Sequence, residues 1–351
     1  MNFIRQWPRV VARRLFAVLL IAFCSAQVLA DDKALLGMAA HLGAATQARC
    51  AEALMQTGSK SYELSYERSG TMPKSPFAGE FEPKFLPSTP MPGTHQLYNM
   101  DVLNVDVNSA NQGTQMDAFG HFAYTAEPLK GEEASGFEDA TYFGGLRQAQ
   151  IKPHPDSPLL GLGAETIPPL VTSGVLLDVR RHVNEGRSFK AGEFITEGML
   201  ARTIKAQGLE ERGLLSGDIV LIYTGWSDHY QDPDKSGVYY SSAPGLSHGA
   251  AVYLGNHGII AAGLDTPFVD SVPSATSSTE FAPPQGTPPN MTFPVHHHFL
   301  TQVGIYTLEN LRLAELAEDR VSLSCTMVLP LLSKGSAGSP IRPVAYGAPI
   351  D

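Results

Sequence analysis

Asn111-Gln112-Gly113-Thr114-Gln115-Met116-Asp117-Ala118-Phe119-Gly120-His121 is the stretch on which the reading of this chain turns. Polar side chains fall at 111, 115, 117 and 121. On extended backbone successive side chains alternate between faces, so the even spacings of 111, 115 and 117 bring those three to one side. Gly113 and Gly120 allow tight local geometry. Taken alone, the string also fits an amide-rich turn with a solvated histidine.

A second string stands far downstream. Val295-His296-His297-His298-Phe299-Leu300 is followed by Gly304-Ile305-Tyr306-Thr307-Leu308-Glu309-Asn310. Three adjacent histidines cannot all point the same way, whether the backbone period is 2 or 3.6, so at most two address one centre. Gly304 can end a short helix and let the next strand return Glu309 toward a histidine. A surface histidine cluster beside an unrelated glutamate is the plainer alternative.

Together the two strings resemble the cyclase family of metal-dependent hydrolases, which includes bacterial kynurenine formamidase and isatin hydrolase. That family carries H-x-G-T-H-x-D-x-P-x-H, and this chain has N-x-G-T-Q-x-D-x-F-x-H at Asn111 to His121. The family also has a His followed twelve residues later by a Glu that opens an E-N-L-like segment. Counting back from Glu309-Asn310-Leu311 selects His297. Gly174-Val175-Leu176-Leu177-Asp178, Thr224-Gly225-Trp226, Pro244-Gly245-Leu246-Ser247 and Gly263-Leu264-Asp265-Thr266 are similar to family motifs in the same order, from about Met100 to Leu329.

The resemblance implies metal ligands at Asn111, Gln115, Asp117, His297 and Glu309, and a catalytic acid/base at His121. Two of these positions are His in better-known members and amides here. An amide oxygen is neutral, harder and weaker for zinc than an imidazole. The expectation is therefore one divalent ion, Mn or Zn, with a second possible, held chiefly by Asp117, His297 and Glu309. Such an ion would serve hydrolysis of a small carbonyl substrate with a carbon–nitrogen bond: an amide, formamide, cyclic imide or lactam. Trp226, directly after a strand, is a candidate for the pocket wall, with plain packing as its alternative.

Outside these strings the chain alternates β-branched runs with helical segments. Val175–Val179, Ile219–Tyr223, Ile259–Leu264, Ile305–Leu308 and Val321–Leu329 read as strands. Thr196 and Ser247 can each cap a helix start, the second helix ending near Gly258. Lys33 to Gln56 reads as a helical prefix, Ser69 to Pro92 as an irregular surface loop, and Pro273 to Pro294 as a second irregular segment suited to a lid or a plain excursion. The fold class is α/β: a single domain, residues 99–351, with a β-rich mixed core flanked by helices. The resemblance implies the family's swivelling β/β/α type, and residues 31–98 form an N-terminal helical extension and loop.

Residues 1–30 read as a cleaved signal peptide. Arg5, Arg9, Arg13 and Arg14 lead a short apolar core, Leu15 to Phe23, and Val28-Leu29-Ala30 offers a cleavage site. Arg13-Arg14-Leu15-Phe16 resembles a twin-arginine signal, with ordinary unfolded export equally compatible. The expected location is periplasmic or secreted, without a stable membrane anchor. Removing four Arg and no acid takes the formal charge from −10 to −14, which repels nucleic acid and favours a small neutral or cationic partner. Cys50 and Cys325 remain and can pair or stay separate thiols. The resemblance implies a homodimer or larger homo-oligomer. Two rival functions stand beside the hydrolase: a metal-free periplasmic binding or scaffold protein on the same fold, and a metal-dependent lactonase, cyclase or dehydratase.

Overall fold

Ile219-Val220-Leu221-Ile222-Tyr223 is apolar throughout and buried throughout, as a strand covered on both faces must be. In a computed structural model that describes residues 34–105, 112–129, 138–273, 275–277, 280–281 and 286–350, this strand lies at the centre of a nine-stranded mixed sheet. In chain order the strands are β1 (Lys60–Glu63), β2 (Gln115–Asp117), β3 (Leu170–Asp178), β4 (Ile219–Tyr223), β5 (Ala261–Leu264), β6 (Tyr306–Glu309), β7 (Leu323–Val328), β8 (Gly338–Pro340) and β9 (Val344–Gly347). Their order across the sheet is β1-β9-β7-β3-β4-β5-β6-β2-β8. The four central strands, β3 to β6, run parallel. Antiparallel strands extend the sheet on both sides.

Parallel neighbours need crossovers, and helices supply them. Besides α1 (Ala44–Met55), which precedes the sheet, α2 (Glu197–Ala206) lies between β3 and β4, and α3 (His248–Asn256) between β4 and β5. A helical segment over residues 294–303 lies between β5 and β6. Thr196 Oγ1 accepts from the Met199 amide at 3.3 Å and Ser247 Oγ from the Ala250 amide at 3.0 Å. Both expected caps are thus in place, and each satisfies an amide the helix leaves unpaired.

Strand alternation divides the core. Val220, Ile222, Ala262 and Leu264 point to the face covered by the crossover helices, meeting Leu200, Ile204, Ala251, Leu254, Val295 and Phe299. Ile219, Leu221, Tyr223, Ala261, Tyr306, Leu308 and Met116 point to the other face. Thr307 pairs with Ala262 on one side and with Asp117 on the other. Asp117, Thr307 and Glu309 therefore stand on the helix-covered face, with Glu309 at the carboxyl end of the parallel strand β6.

Three features differ from the sequence expectation. Lys60–Glu63 is an edge strand paired with Val344–Gly347, so the sheet starts well before position 99; only the partner, almost at the other terminus, makes four residues a strand. Within the expected loop of Ser69 to Pro92, Phe81–Phe85 pairs with Asp101–Val105, and Pro83 is tolerated because it sits in a two-stranded ribbon. The prefix is a tight turn over Ala34–His41, broken at Gly37, and then α1. The leader, Asn111 and parts of the second irregular segment lie outside the described residues. Among those described, no helix is long and apolar enough to cross a membrane.

Cys50 of α1 and Cys325 of β7 are joined, with their Cα atoms 4.2 Å apart and a sequence separation of 275. A link closing so long a loop restricts the unfolded chain strongly. Reduction with dithiothreitol is expected to cost about 2–4 kcal/mol of stability, read as a lower denaturation midpoint. Protein carrying Cys50→Ser and Cys325→Ser is expected to show no dithiothreitol effect.

Candidate metal centre and active site

β2 and β6 pair so that Gln115 faces Glu309 and Asp117 faces Thr307. Directly opposed side chains on one face touch. Gln115 Nε2 donates to Glu309 Oε2 at 2.8 Å and Thr307 Oγ1 donates to Asp117 Oδ2 at 2.8 Å. The two carboxylates, both buried, are thus presented side by side by sheet register alone.

The third member comes from the helical segment above the sheet. Pro294 occupies the first turn, where its missing N–H costs nothing. The amides of Val295 and His296 donate to the Asp270 carboxylate at 2.8 and 3.0 Å, and His296 Nδ1 donates to Asp270 Oδ2 at 2.6 Å. With its Nδ1 proton committed, the His296 ring presents Nε2 to the acids, 3.2 Å from Glu309 Oε1 and 3.5 Å from Asp117 Oδ2. This carboxylate–imidazole pairing is how proteins orient a histidine toward a cation. Among the described residues Asp117, His296 and Glu309 are the one group of three or more such side chains whose donor atoms lie within 4.8 Å of one another.

His296, not His297, therefore meets the carboxylates. His297 Nδ1 lies 3.0 Å from Thr301 Oγ1, its Nε2 lies 3.0 Å from Gln302 Nε2, and its ring packs edge-on to Tyr124. The cause is local: residues 297–303 form a π-helix, and the Gly304 amide bonds back five residues to the Phe299 carbonyl. A π-turn holds one residue more than an α-turn. The spacing from histidine to Glu309 is thus thirteen, and a count of twelve lands on the neighbour. Gly304, at φ 72°, ends the segment in the left-handed region that favours glycine.

His121 enters from the turn after β2. Phe119–His121 is a single tight turn, and the Gly120 amide donates to the Leu162 carbonyl at 2.8 Å. A Cβ at Gly120 would stand 2.9 Å from that carbonyl oxygen and 2.6 Å from Leu159 Cδ1. Gly120→Ala is accordingly expected to cost about 1–3 kcal/mol through overpacking, seen as a lower denaturation midpoint, and to misplace His121, seen as lost turnover.

A cavity of about 190 Å³ opens on these groups, lined by Asp117, His121, His296 and Glu309 together with Phe77, Phe122, Phe268 and Phe293. The phenylalanines contact one another edge-on or tilted, with centroids 5.9 to 6.5 Å apart. Phe122 stacks on His296 at 4.9 Å. Sequence reasoning did not single out these four rings or Asp270, because they come from four separate segments and no local pattern marks them. Trp226 is not in the wall: its Nε1 donates to the Tyr239 carbonyl at 3.1 Å and its ring packs with Tyr239, Tyr240 and Phe268. Gln115 reaches the centre through its N–H on Glu309, while Asn111 lies outside the described residues.

Three buried carboxylates, Asp117, Asp270 and Glu309, surround one imidazole. Burial and the charge of Asp117 push the Glu309 carboxyl up to about 7. Burial also acts to raise Asp117, but His121, His296 and the Thr307 hydroxyl hold it below its usual value. Burial opposes protonation of His296, yet bonds to three acids raise it well above an ordinary histidine. Asp117 Oδ1 is buried without a hydrogen-bond partner among the described residues. Such a centre is short of positive charge. Two carboxylate oxygens and one imidazole nitrogen suit a divalent ion, and zinc and manganese both accept that donor set.

A family model for Cyclase matches residues 62–271, a stretch that contains Asp117, His121 and Asp270. A search of the curated proteins finds no match. Among solved structures, one described as a novel cyclase aligns with 90% of this chain and 94% of its own, at a TM-score of 0.70 and 22% identity. Isatin hydrolase A from Ralstonia solanacearum aligns over 85% of this chain and 95% of its own, at 0.53 and 18% identity. Isatin hydrolase A from Labrenzia aggregata, bound to benzyl benzoate, aligns over 85% and 97%, at 0.53 and 17% identity. At these identities the likeness concerns the fold, a mixed sheet flanked by helices. With the family model covering more than half of its length, the chain belongs to the Cyclase family.

Proposed function

We propose that this protein is a metal-dependent hydrolase that cleaves a carbon–nitrogen bond of an aromatic amide, formamide, or cyclic imide or lactam. The observation that carries the reading is the cluster of Asp117, His296 and Glu309 facing His121 inside one phenylalanine-lined cavity. A fold shared with isatin hydrolases supports the same class of chemistry, although a fold alone does not fix a reaction.

Asp117, His296 and Glu309 would hold the ion, Mn or Zn, with Asp270 fixing the ring of His296 and Thr307 fixing the carboxylate of Asp117. When bound, such an ion polarises a carbonyl and makes water nucleophilic near neutral pH. His121 takes the proton from the attacking water at a ring nitrogen and returns it to the leaving nitrogen. Its ring nitrogens make no hydrogen bond among the described residues, and burial lowers its pKa below the usual histidine value despite the opposing charge of Asp117. It is thus a base at neutral pH. The four phenylalanines shed bulk water and accept an aromatic ring beside the carbonyl.

The test is hydrolysis of formanilides, cyclic imides, isatin-like lactams and lactones by protein purified without an affinity tag. Turnover of a carbon–nitrogen substrate is expected to vanish on chelation and to return with added Mn or Zn. Protein that binds no divalent ion, or that hydrolyses only lactones, overturns the reading.

A further inference from the structure

At about 190 Å³, the cavity at the hydrolytic centre is small for a whole substrate, since ligand pockets usually measure about 300–1,000 Å³. A void of about 150 Å³ is filled by benzene alone. The centre thus has room for one aromatic ring and the reacting carbonyl. A second cavity, of about 1120 Å³, lies against it. Phe122 and Phe293 line both, with their rings edge-on and their centroids 6.3 Å apart. Both rings are half-buried, so neither is sealed into the core.

Ordered contacts hold the walls of the larger cavity. Tyr124 lines it, exchanges backbone hydrogen bonds with Thr141 at 2.8 and 3.1 Å, and packs edge-on to His297, the neighbour of His296. Tyr142, another wall, is buried, and its hydroxyl donates to Gln148 Oε1 at 2.8 Å. Leu129 and Met291 add apolar surface. Glu127 and Lys152 line it too, one charge of each sign, so they offset each other and a charged ligand gains little. Aromatic and apolar walls with few polar groups suit a neutral, apolar occupant.

We propose that the larger cavity takes a second apolar group of the substrate, so that the molecule cleaved is an aromatic amide or lactam bearing a further ring or chain. Its carbonyl lies among Asp117, His121, His296 and Glu309, and the second group reaches past Phe122 and Phe293. Contacts made away from the reacting carbonyl hold it in place for attack. The second group belongs either to the acyl half of the substrate or to the half that leaves with nitrogen. This narrowing of the substrate class rests on the function proposed above.

The experiment is calorimetric titration of the purified protein with three ketones: acetophenone, dihydrochalcone and para-benzylacetophenone. Acetophenone carries one ring, dihydrochalcone adds a second where the leaving half of an amide would be, and para-benzylacetophenone adds it on the acyl half. A two-ring ketone is expected to bind about tenfold to a hundredfold more tightly than acetophenone, the worth of burying one more apolar group. A margin for dihydrochalcone assigns the larger cavity to the nitrogen half, and a margin for para-benzylacetophenone assigns it to the acyl half. Ala126→Trp, which places a bulky ring in the larger cavity, is expected to abolish the margin, and Met291→Ala to reduce it. Two-ring ketones that bind no more tightly than acetophenone, or a margin unchanged in both variants, overturn the proposal. Ala126 is exposed, so its replacement leaves the core untouched, and Met291→Ala keeps the test open should Ala126→Trp fail to fold. The ketones have no carbon–nitrogen bond to cleave, so binding is read without turnover, and failure of the hydrolase reading and failure of this subsite are separate results.

Discussion

His296→Ala is expected to yield folded protein without bound metal and without turnover, whereas His297→Ala keeps both. The two residues are adjacent, and their environments decide the difference. His296 is held between Asp270, on its Nδ1, and the oxygens of Glu309 and Asp117, on its Nε2. His297 faces Thr301, Gln302 and Tyr124. Loss of a group that merely orients a ligand typically costs about 10–100-fold in metal affinity, so loss of the ligand itself is expected to exceed that range. The measurement is metal content of untagged protein after gel filtration, alongside turnover. Asp117→Asn and Glu309→Gln should behave as His296→Ala does. Metal loss in His297→Ala with retention in His296→Ala would reverse the assignment of the imidazole ligand.

This pair of histidines also marks where the sequence stops being legible. Ile219–Tyr223 is recognisable end to end, because a run of β-branched and apolar residues buried on both faces has few other uses. Thr196 and Ser247 announce their helices because a side-chain oxygen at that position satisfies a free amide. Asp117 and His121 lie four residues apart across one turn, and both line the same cavity. Glu309 and its histidine are separated by a helix whose winding cannot be counted in advance, and a single π-turn moves the answer by one residue. Pro294 was the available signal: a proline opening a helix fixes the first turn and puts His296, two residues on, beside any acid that caps it. Asp270 and the phenylalanine walls are assembled by tertiary packing from distant segments. No periodicity in one sequence carries that information.

His121→Ala is expected to keep its metal and lose about 10² to 10⁴ in turnover, the usual worth of a positioned acid/base. The pH profile makes this more than a loss of activity. The pKa of His121 in the folded protein lies below the ordinary histidine value because burial outweighs the nearby charge of Asp117. The neutral ring therefore predominates at pH 7, and kcat/KM should fall, tenfold per pH unit, only as pH drops through that lowered value. A second acid limb has a different source. Glu309 is pushed up to about 7 in the metal-free centre, so protons compete with the ion for its carboxylate, and metal affinity should weaken as pH falls through that region. The two limbs separate under saturating metal, which suppresses the competition at Glu309 and leaves the titration of His121. An acid limb in kcat/KM that survives saturating metal in the wild type and disappears in His121→Ala identifies His121 as the base. If the same limb persists in His121→Ala, the proton acceptor is another group, and His121 acts instead by holding Asp117 in place.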